Sequence, residues 1–137
     1  MSIRTFIKRK LYERKKKRLQ LVFPVFCKAH GVKHLDRQGA ILQSKQGDRL
    51  QLVHVPLKAY PHNVYVYNVE LNRVLGYLHK NLAEKLVELF GNGFCRDGVV
   101  VAVTGAEEHK YHGCNLQILE SMSAMNDLTD FAHLKGT

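Results

Sequence analysis

The stretch GDRLQLVHVPLKAYPHNVYVYNVELNRVLGYLHKNLAEKLVELF, residues 47–90, decides how the chain folds. It reads as strand, polar loop, strand, tight turn, strand and helix. After the Gly47-Asp48 turn signal, Leu50, Leu52 and Val53 make a first apolar run. A loop from Pro56 to Pro61 interrupts it, carrying Lys58 and Tyr60, with His62 just beyond. The run Val64-Tyr65-Val66-Tyr67 has the β-branched and aromatic composition of a half-buried pleated surface. A polar turn at 70–73 and a return run at 74–78 predict a hairpin over 63–78. Asn81 is the expected N-cap of a helix whose apolar residues at 82, 83, 86, 87, 89 and 90 share a wide face, and Gly91 stands where a C-cap glycine belongs.

Outward from this stretch the pattern stays β. Upstream, the apolar run 21–29 holds Pro24, which places it at a sheet edge or a strand start because proline lacks the donor a central ladder needs. A bend follows at 31–35, then a short helix over 36–43 capped by Asp36. Downstream, Gly91-Asn92-Gly93 and Asp97-Gly98 read as breakers, and 99–104 is a strand apolar on both faces and therefore central. Residues 105–112 form a polar loop and 114–119 alternate as a last strand. Roughly six short strands with inserted helices and no βαβ rhythm predict a mostly β fold, a small antiparallel OB- or SH3-like barrel. Three segments follow: a basic N-terminal tail or helix over 1–20, the barrel over 21–119, and a C-terminal helical tail over 120–137. In the last, Met122, Met125, Leu128, Phe131 and Leu134 repeat every third residue. Packing back on the barrel is the plainer role for that stripe, and homodimerisation through 122–134 is its rival.

The net charge of +9 is unevenly placed. Nine of the 21 Lys and Arg residues lie in the first 20 positions against Glu13 alone, which leaves 12 basic and 11 acidic side chains for the rest. Residues 21–137 taken together are thus nearly neutral. The run Arg14-Lys15-Lys16-Lys17-Arg18 is a solvated charge cluster or a phosphate-contacting one, and Ile3, Phe6, Ile7 and Leu11 at helical spacing add a weaker membrane-surface reading. No run reaches the ~18 apolar residues of a membrane span. Cys27, Cys95 and Cys114 are odd in number and form no C-x-x-C pair, which points to a reducing compartment. Gln20 and Pro24 break the short apolar run at 19–27 that would otherwise imitate a signal peptide. The expected location is cytoplasmic.

Several residues fall in an order that resembles the HIRAN domain family. They are Gly31-Val32, Arg37-Gln38, Gly47-Asp48, Leu50, Leu52, Tyr60, Asn63 and Gly76-Tyr77-Leu78 before Leu82-Ala83, then the 99–104 strand with Tyr111, Gly113 and Asn115. The similarity spans residues 22–119. HIRAN domains occur fused to fork-remodelling helicases and as small free-standing bacterial proteins, and the resemblance implies the second kind. It also implies the barrel, a role in DNA repair, and a helicase or nuclease partner acting in trans. DNA-binding members capture a free 3′ end of single-stranded DNA. By position, Lys33-His34 stands where the family has a basic-aromatic pair that stacks a base. Tyr60 keeps the family's tyrosine, while Pro61 replaces its aspartate and removes a carboxylate acceptor. Tyr77 and Lys80 fall where the family has phosphate-facing residues, and Tyr111 stands for an aromatic of the last loop.

Residue chemistry alone points toward binding rather than catalysis. No G-x-S-x-G, phosphate-loop or dinucleotide fingerprint occurs, and carboxylates outside tails and helix faces are few. His30 and His34 would share a face only on a helix, which Gly31 and its β-type neighbours disfavour, and His109 and His112 near Glu107 and Glu108 lie in a loop, so neither metal nor cofactor is expected. Single strands are held by aromatics that stack bases and by Lys or Arg that meets phosphates. Lys33, His34, Lys58, Tyr60, Tyr77, Lys80 and Tyr111, together with Lys110, supply those groups on loops, the resemblance adds Asn63 as the family's asparagine, and Tyr65 and Tyr67 read as strand packing. Two functions stand: a nucleic-acid-binding module favouring single-stranded DNA over RNA, and a protein-interaction scaffold on the same barrel.

Overall fold

A computed structural model describes residues 2–34, 36–105 and 111–122. Their elements run α1 (Ile3–Arg18), β1 (Val25–Lys28), α2 (Arg37–Gln43), β2 (Arg49–His54), β3 (Val64–Asn68), β4 (Arg73–Tyr77), α3 (Lys80–Phe90), β5 (Cys95–Thr104) and β6 (Gly113–Met122). The six strands form one antiparallel sheet in the order β1-β6-β5-β2-β3-β4. The sheet curls until its two ends meet. Just past β1, His30 pairs with Tyr77 of β4, N–H to carbonyl at 2.8 Å one way and 2.9 Å the other. The fold is mostly β, a small antiparallel barrel with inserted helices, the class the sequence predicts.

Period-two alternation sets the inside. Leu50, Leu52, Val64, Val66, Leu75, Val100, Leu116 and Ile118 face a core that α2 enters with Ala40 and Ile41 and α3 with Ala83, Leu86, Val87 and Leu89. Each fully buried Leu or Ile there contributes roughly 1.5–3 kcal/mol. The opposite face carries a smaller cluster of Val53, Val55, Tyr65, Val74 and Cys95, with Leu57 and Tyr67 at its edge. Strand β2 is therefore buried on both faces. Strand β1 begins directly after Pro24, at the end of the sheet, as the missing donor requires.

Four boundaries differ from expectation. His79, not Asn81, caps α3: its backbone is extended and its Nδ1 accepts the Asn81 N–H at 3.2 Å, which draws Asn81 into the first turn. Asp36 holds the N-cap position of α2 without capping through its side chain, which instead meets Arg73 of β4 at 2.8 Å. Asp97-Gly98 do not break β5. They pair with Gln51 and Leu50 of β2, and register shifts beside them absorb the irregularity. That early start gives β6 a partner as far as Met122 (opposite Arg96), so residues 120–122 are strand rather than the start of a helix. The rest of the expected C-terminal helix, with Met125, Leu128, Phe131 and Leu134, lies outside the described residues, as do His109 and Lys110.

The basic N-terminus is an ordered helix fastened to the barrel. Ser2 Oγ accepts the Thr5 N–H at 3.1 Å, no Gly or Pro interrupts the run, and Lys15 to Arg18 sit at the negative end of the helix dipole. Glu120 of β6 takes Tyr12 Oη at 2.8 Å and Lys16 Nζ at 2.7 Å, and Glu88 of α3 takes Arg18 at 2.7 Å. Leu19 and Leu21 then enter the core. Hydrogen bonding from Lys16 holds the Glu120 carboxyl below its ordinary value, against the effect of burial, with Tyr12 adding to it. The same bond raises Lys16, while burial, then the bond to Glu120, pushes the Tyr12 hydroxyl up.

Two outcomes follow. A Cβ at Gly76 would overlap the His30 carbonyl oxygen at the closure. Gly76→Ala should therefore destabilise the fold by roughly 1–3 kcal/mol in urea titrations; wild-type stability would show the closure to be loose. A depressed carboxyl stabilises above its unfolded value near 4.5 and loses that contribution as pH falls through the folded one. The melting temperature of the wild type should therefore drop more steeply between about pH 5 and 3 than that of Glu120→Gln, and parallel curves would contradict the attachment.

Candidate nucleic-acid interface

Where the sheet closes, a cleft of about 760 Å³ opens between the bend after β1, the proline loop and the start of α3. Each side is built by local constraints. The loop between β2 and β3 is a miniature hairpin in which Leu57 and Tyr60 exchange N–H to carbonyl bonds at 3.0 Å, leaving Lys58 and Ala59 at the tip. Its base is tied twice, by Asn63 Nδ2 donating to the Val55 carbonyl at 3.1 Å and by His54 Nε2 against the Pro61 carbonyl at 2.8 Å. The far nitrogen of His54, Nδ1, accepts the Gly93 N–H at 2.8 Å. Tyr60 is thereby held out, 63 % exposed.

On the facing side Gly31 adopts φ +67°, a left-handed conformation that glycine takes readily. A Cβ there would overlap the Tyr77 ring, so the missing side chain is also what lets that ring lie across the bend. Beneath it Arg37, at the first turn of α2, is 5 % exposed. Its Nη1 donates to the Gly31 carbonyl at 2.9 Å and its guanidinium lies 5.9 Å from the Tyr77 ring centre. Burial pulls this guanidinium below its ordinary range while Tyr65 and Tyr77 pull it back. At neutral pH an arginine stays charged through such a shift. Tyr65 and Tyr77 are cross-strand partners, so both rings reach the cleft from one face of the β3–β4 hairpin.

Of the residues expected to bind, His34, Tyr60, Asn63, Tyr77 and Lys80 line this one cleft. Asn63 spends its carboxamide on the loop. Lys58 is exposed on the hairpin tip and is not among the lining residues. Lys33 and Tyr111 meet each other instead, the Lys33 ammonium 4.7 Å from the ring centre. Gln38 holds that neighbourhood together: its Nε2 donates to the Val32 and His112 carbonyls at 3.0 and 2.9 Å, and its Oε1 accepts the His112 N–H at 2.8 Å. In the phosphate-contacting run, Lys16 and Arg18 face Glu120 and Glu88, and Lys15 Nζ reaches the Glu88 carbonyl at 3.4 Å. Arg14 and Lys17 remain exposed.

Sequence reasoning missed Arg37 as a site residue, along with His62 and Tyr65. The Arg37-Gln38 pair was visible, but nothing in the chain shows that a helix's first arginine is turned under a tyrosine. Among the described residues, no group of three or more His, Cys, Asp or Glu side chains could hold a metal ion. No described helix is long and apolar enough to cross a membrane. Comparison of the chain with protein-family models, curated proteins and solved structures finds no match.

The close fit at the bend is testable. Gly31→Ala should displace the Tyr77 ring, lower stability by roughly 1–3 kcal/mol and change the near-ultraviolet tyrosine circular dichroism; an unaltered spectrum would remove Gly31 from the architecture of the cleft.

Proposed function

We propose that the protein is a non-catalytic module that binds single-stranded nucleic acid, DNA in preference to RNA, in the cleft at the barrel closure. The observation that carries this reading is the meeting of exposed tyrosine rings with cationic groups in one preformed groove: Tyr60 and Tyr77 beside Arg37 and Lys80. Stacking on such rings accepts any base, and Arg and Lys beside them meet the backbone phosphates. A cleft of 760 Å³ falls within the range of sites that bury small ligands, so it would hold a short piece of strand rather than a duplex. The resemblance to HIRAN domains supports the same class of ligand, and with it a cytoplasmic DNA-repair role beside a helicase or nuclease supplied in trans. Pro61 offers no carboxylate to a 3′-hydroxyl, so end capture through an aspartate is not part of this reading.

Helix α1 contributes less here than its composition suggests, because Lys16 and Arg18 already face carboxylates. Arg14 and Lys17 are the residues of the basic run left for phosphates. The rival reading, a protein-interaction scaffold, is favoured by one feature: Ile3, Phe6, Ile7 and Leu11 are all exposed along α1.

Tyr60→Ala should weaken binding of a short single strand by roughly 1–3 kcal/mol while leaving the melting temperature unchanged, because the ring is exposed. Fluorescence anisotropy at two salt concentrations measures it. A folded variant with wild-type affinity removes Tyr60 from the site, and absence of strand binding by the wild type at both salts favours the scaffold.

A further inference from the structure

The cleft combines a cationic lining with the deep burial of one of its cations. Arg37 and Lys80 line it together with His34 and His62, and the one carboxylate among its lining residues, Glu84, lies 4.0 Å from Lys80. Arg37 and Lys80 against Glu84 leave the lining with a net positive charge. Arg37 is also nearly covered, with 5 % of its surface accessible, and it is among the residues that line the cleft.

Burial of that kind discriminates by shape. A phosphate inside a strand carries a nucleoside on each side, and both must fit wherever its oxygens go. A terminal phosphate carries one ester substituent and three free oxygens, so it can enter end-on and reach a covered guanidinium. It also bears close to two negative charges at neutral pH, where an internal phosphodiester bears one. Charge-assisted hydrogen bonds from a planar guanidinium to phosphate oxygens are among the stronger polar contacts available, and they gain from partial exclusion of water. The aromatic surface for the attached base is adjacent, in the exposed rings of Tyr60 and Tyr77.

We propose that the cleft takes a terminal phosphomonoester of a nucleotide chain, seated on Arg37 and Lys80, with the attached base against the tyrosine rings. This rests on the strand-binding reading of the cleft and names the end chemistry it selects. A 5′-phosphate, a 3′-phosphate and a free mononucleotide share that chemistry, and the experiment separates them.

The full chain is titrated by fluorescence anisotropy with single strands of about ten nucleotides at one fixed salt concentration. The strands carry a 5′-phosphate, a 3′-phosphate or hydroxyls at both ends, and a hydroxyl-ended strand two nucleotides longer controls for added charge. Deoxynucleoside 5′- and 3′-monophosphates serve as competitors. One phosphorylated end should bind about tenfold or more tighter than the hydroxyl-ended and lengthened strands, and the matching monophosphate should compete. Arg37→Gln should abolish the preference while keeping residual binding of the hydroxyl-ended strand. Should Arg37→Gln fail to fold in a thermal melt, Lys80→Gln, on an exposed side chain, should reduce the preference instead. Equal affinity for every end overturns the inference and leaves strand binding standing. Absence of binding to all strands overturns both. A preference that survives in folded Arg37→Gln and Lys80→Gln removes the phosphate from this cleft.

Discussion

The pair of backbone hydrogen bonds between His30 and Tyr77 joins the two ends of the sheet, and the rest of the molecule is arranged around that closure. An open curled sheet leaves two edges with unpaired donors and acceptors, whereas this contact ties the first strand to the fourth. Gly76 permits the approach because its missing Cβ leaves room for the His30 carbonyl. Gly31, one residue on, turns the chain in a left-handed conformation and makes room for Tyr77. The same few residues thus shut the barrel and form one wall of the cleft. A ligand in the cleft would lie against the structural joint itself.

Buried and half-buried polar groups hold the loops in place. The Gln38 amide ties the bend after β1 to the approach of β6, and Asn63 with His54 ties the proline loop to β2. Asn68, fully buried, donates to Ser44 Oγ and Asp48 Oδ2 at 3.1 Å and accepts the Leu71 N–H at 3.2 Å, fixing both the turn before β2 and the hairpin turn after β3. Such groups are costly to bury unsatisfied, so each specifies a single arrangement of the loop it serves. The cleft walls are therefore set before any ligand arrives, which reduces the ordering entropy that binding must overcome.

Electrostatics here depends on position more than on total. The +9 charge of the chain resides mostly on α1, and part of it is answered by Glu88 and Glu120 across the interface with α3 and β6. Those carboxylates orient the helix. Exposed pairs of this kind contribute little stability each, and the Tyr12–Glu120–Lys16 cluster, partly buried, is the stronger attachment.

Much of the fold was legible in the chain because it rests on local rules. Alternation at Leu50 and Leu52 and at Val64 and Val66, the wide apolar face at 82–90 and the two-sided apolar run at 99–104 each follow from a period of 2.0 or 3.6 residues. Pro24 announced an edge because a missing donor is a property of the residue. Several candidate residues were also legible, since tyrosines and lysines on loops are visible as such, and His34, Tyr60, Asn63, Tyr77 and Lys80 do converge. What the chain alone left open was which groups meet across it. Lys33 pairs with Tyr111, Lys16 with Glu120, His79 displaces Asn81 as a cap, and Arg37 turns under Tyr77. Asp97-Gly98 looked like a break because turn propensity is local, yet pairing with β2 holds both in strand, and Gly98 pairs with Ile118 of β6 as well. Periodicity and residue type act over a few positions and so are written in the sequence. The closure, the burial of Arg37 and the charge of the cleft arise from contacts between segments distant along the chain, and only the folded arrangement decides them.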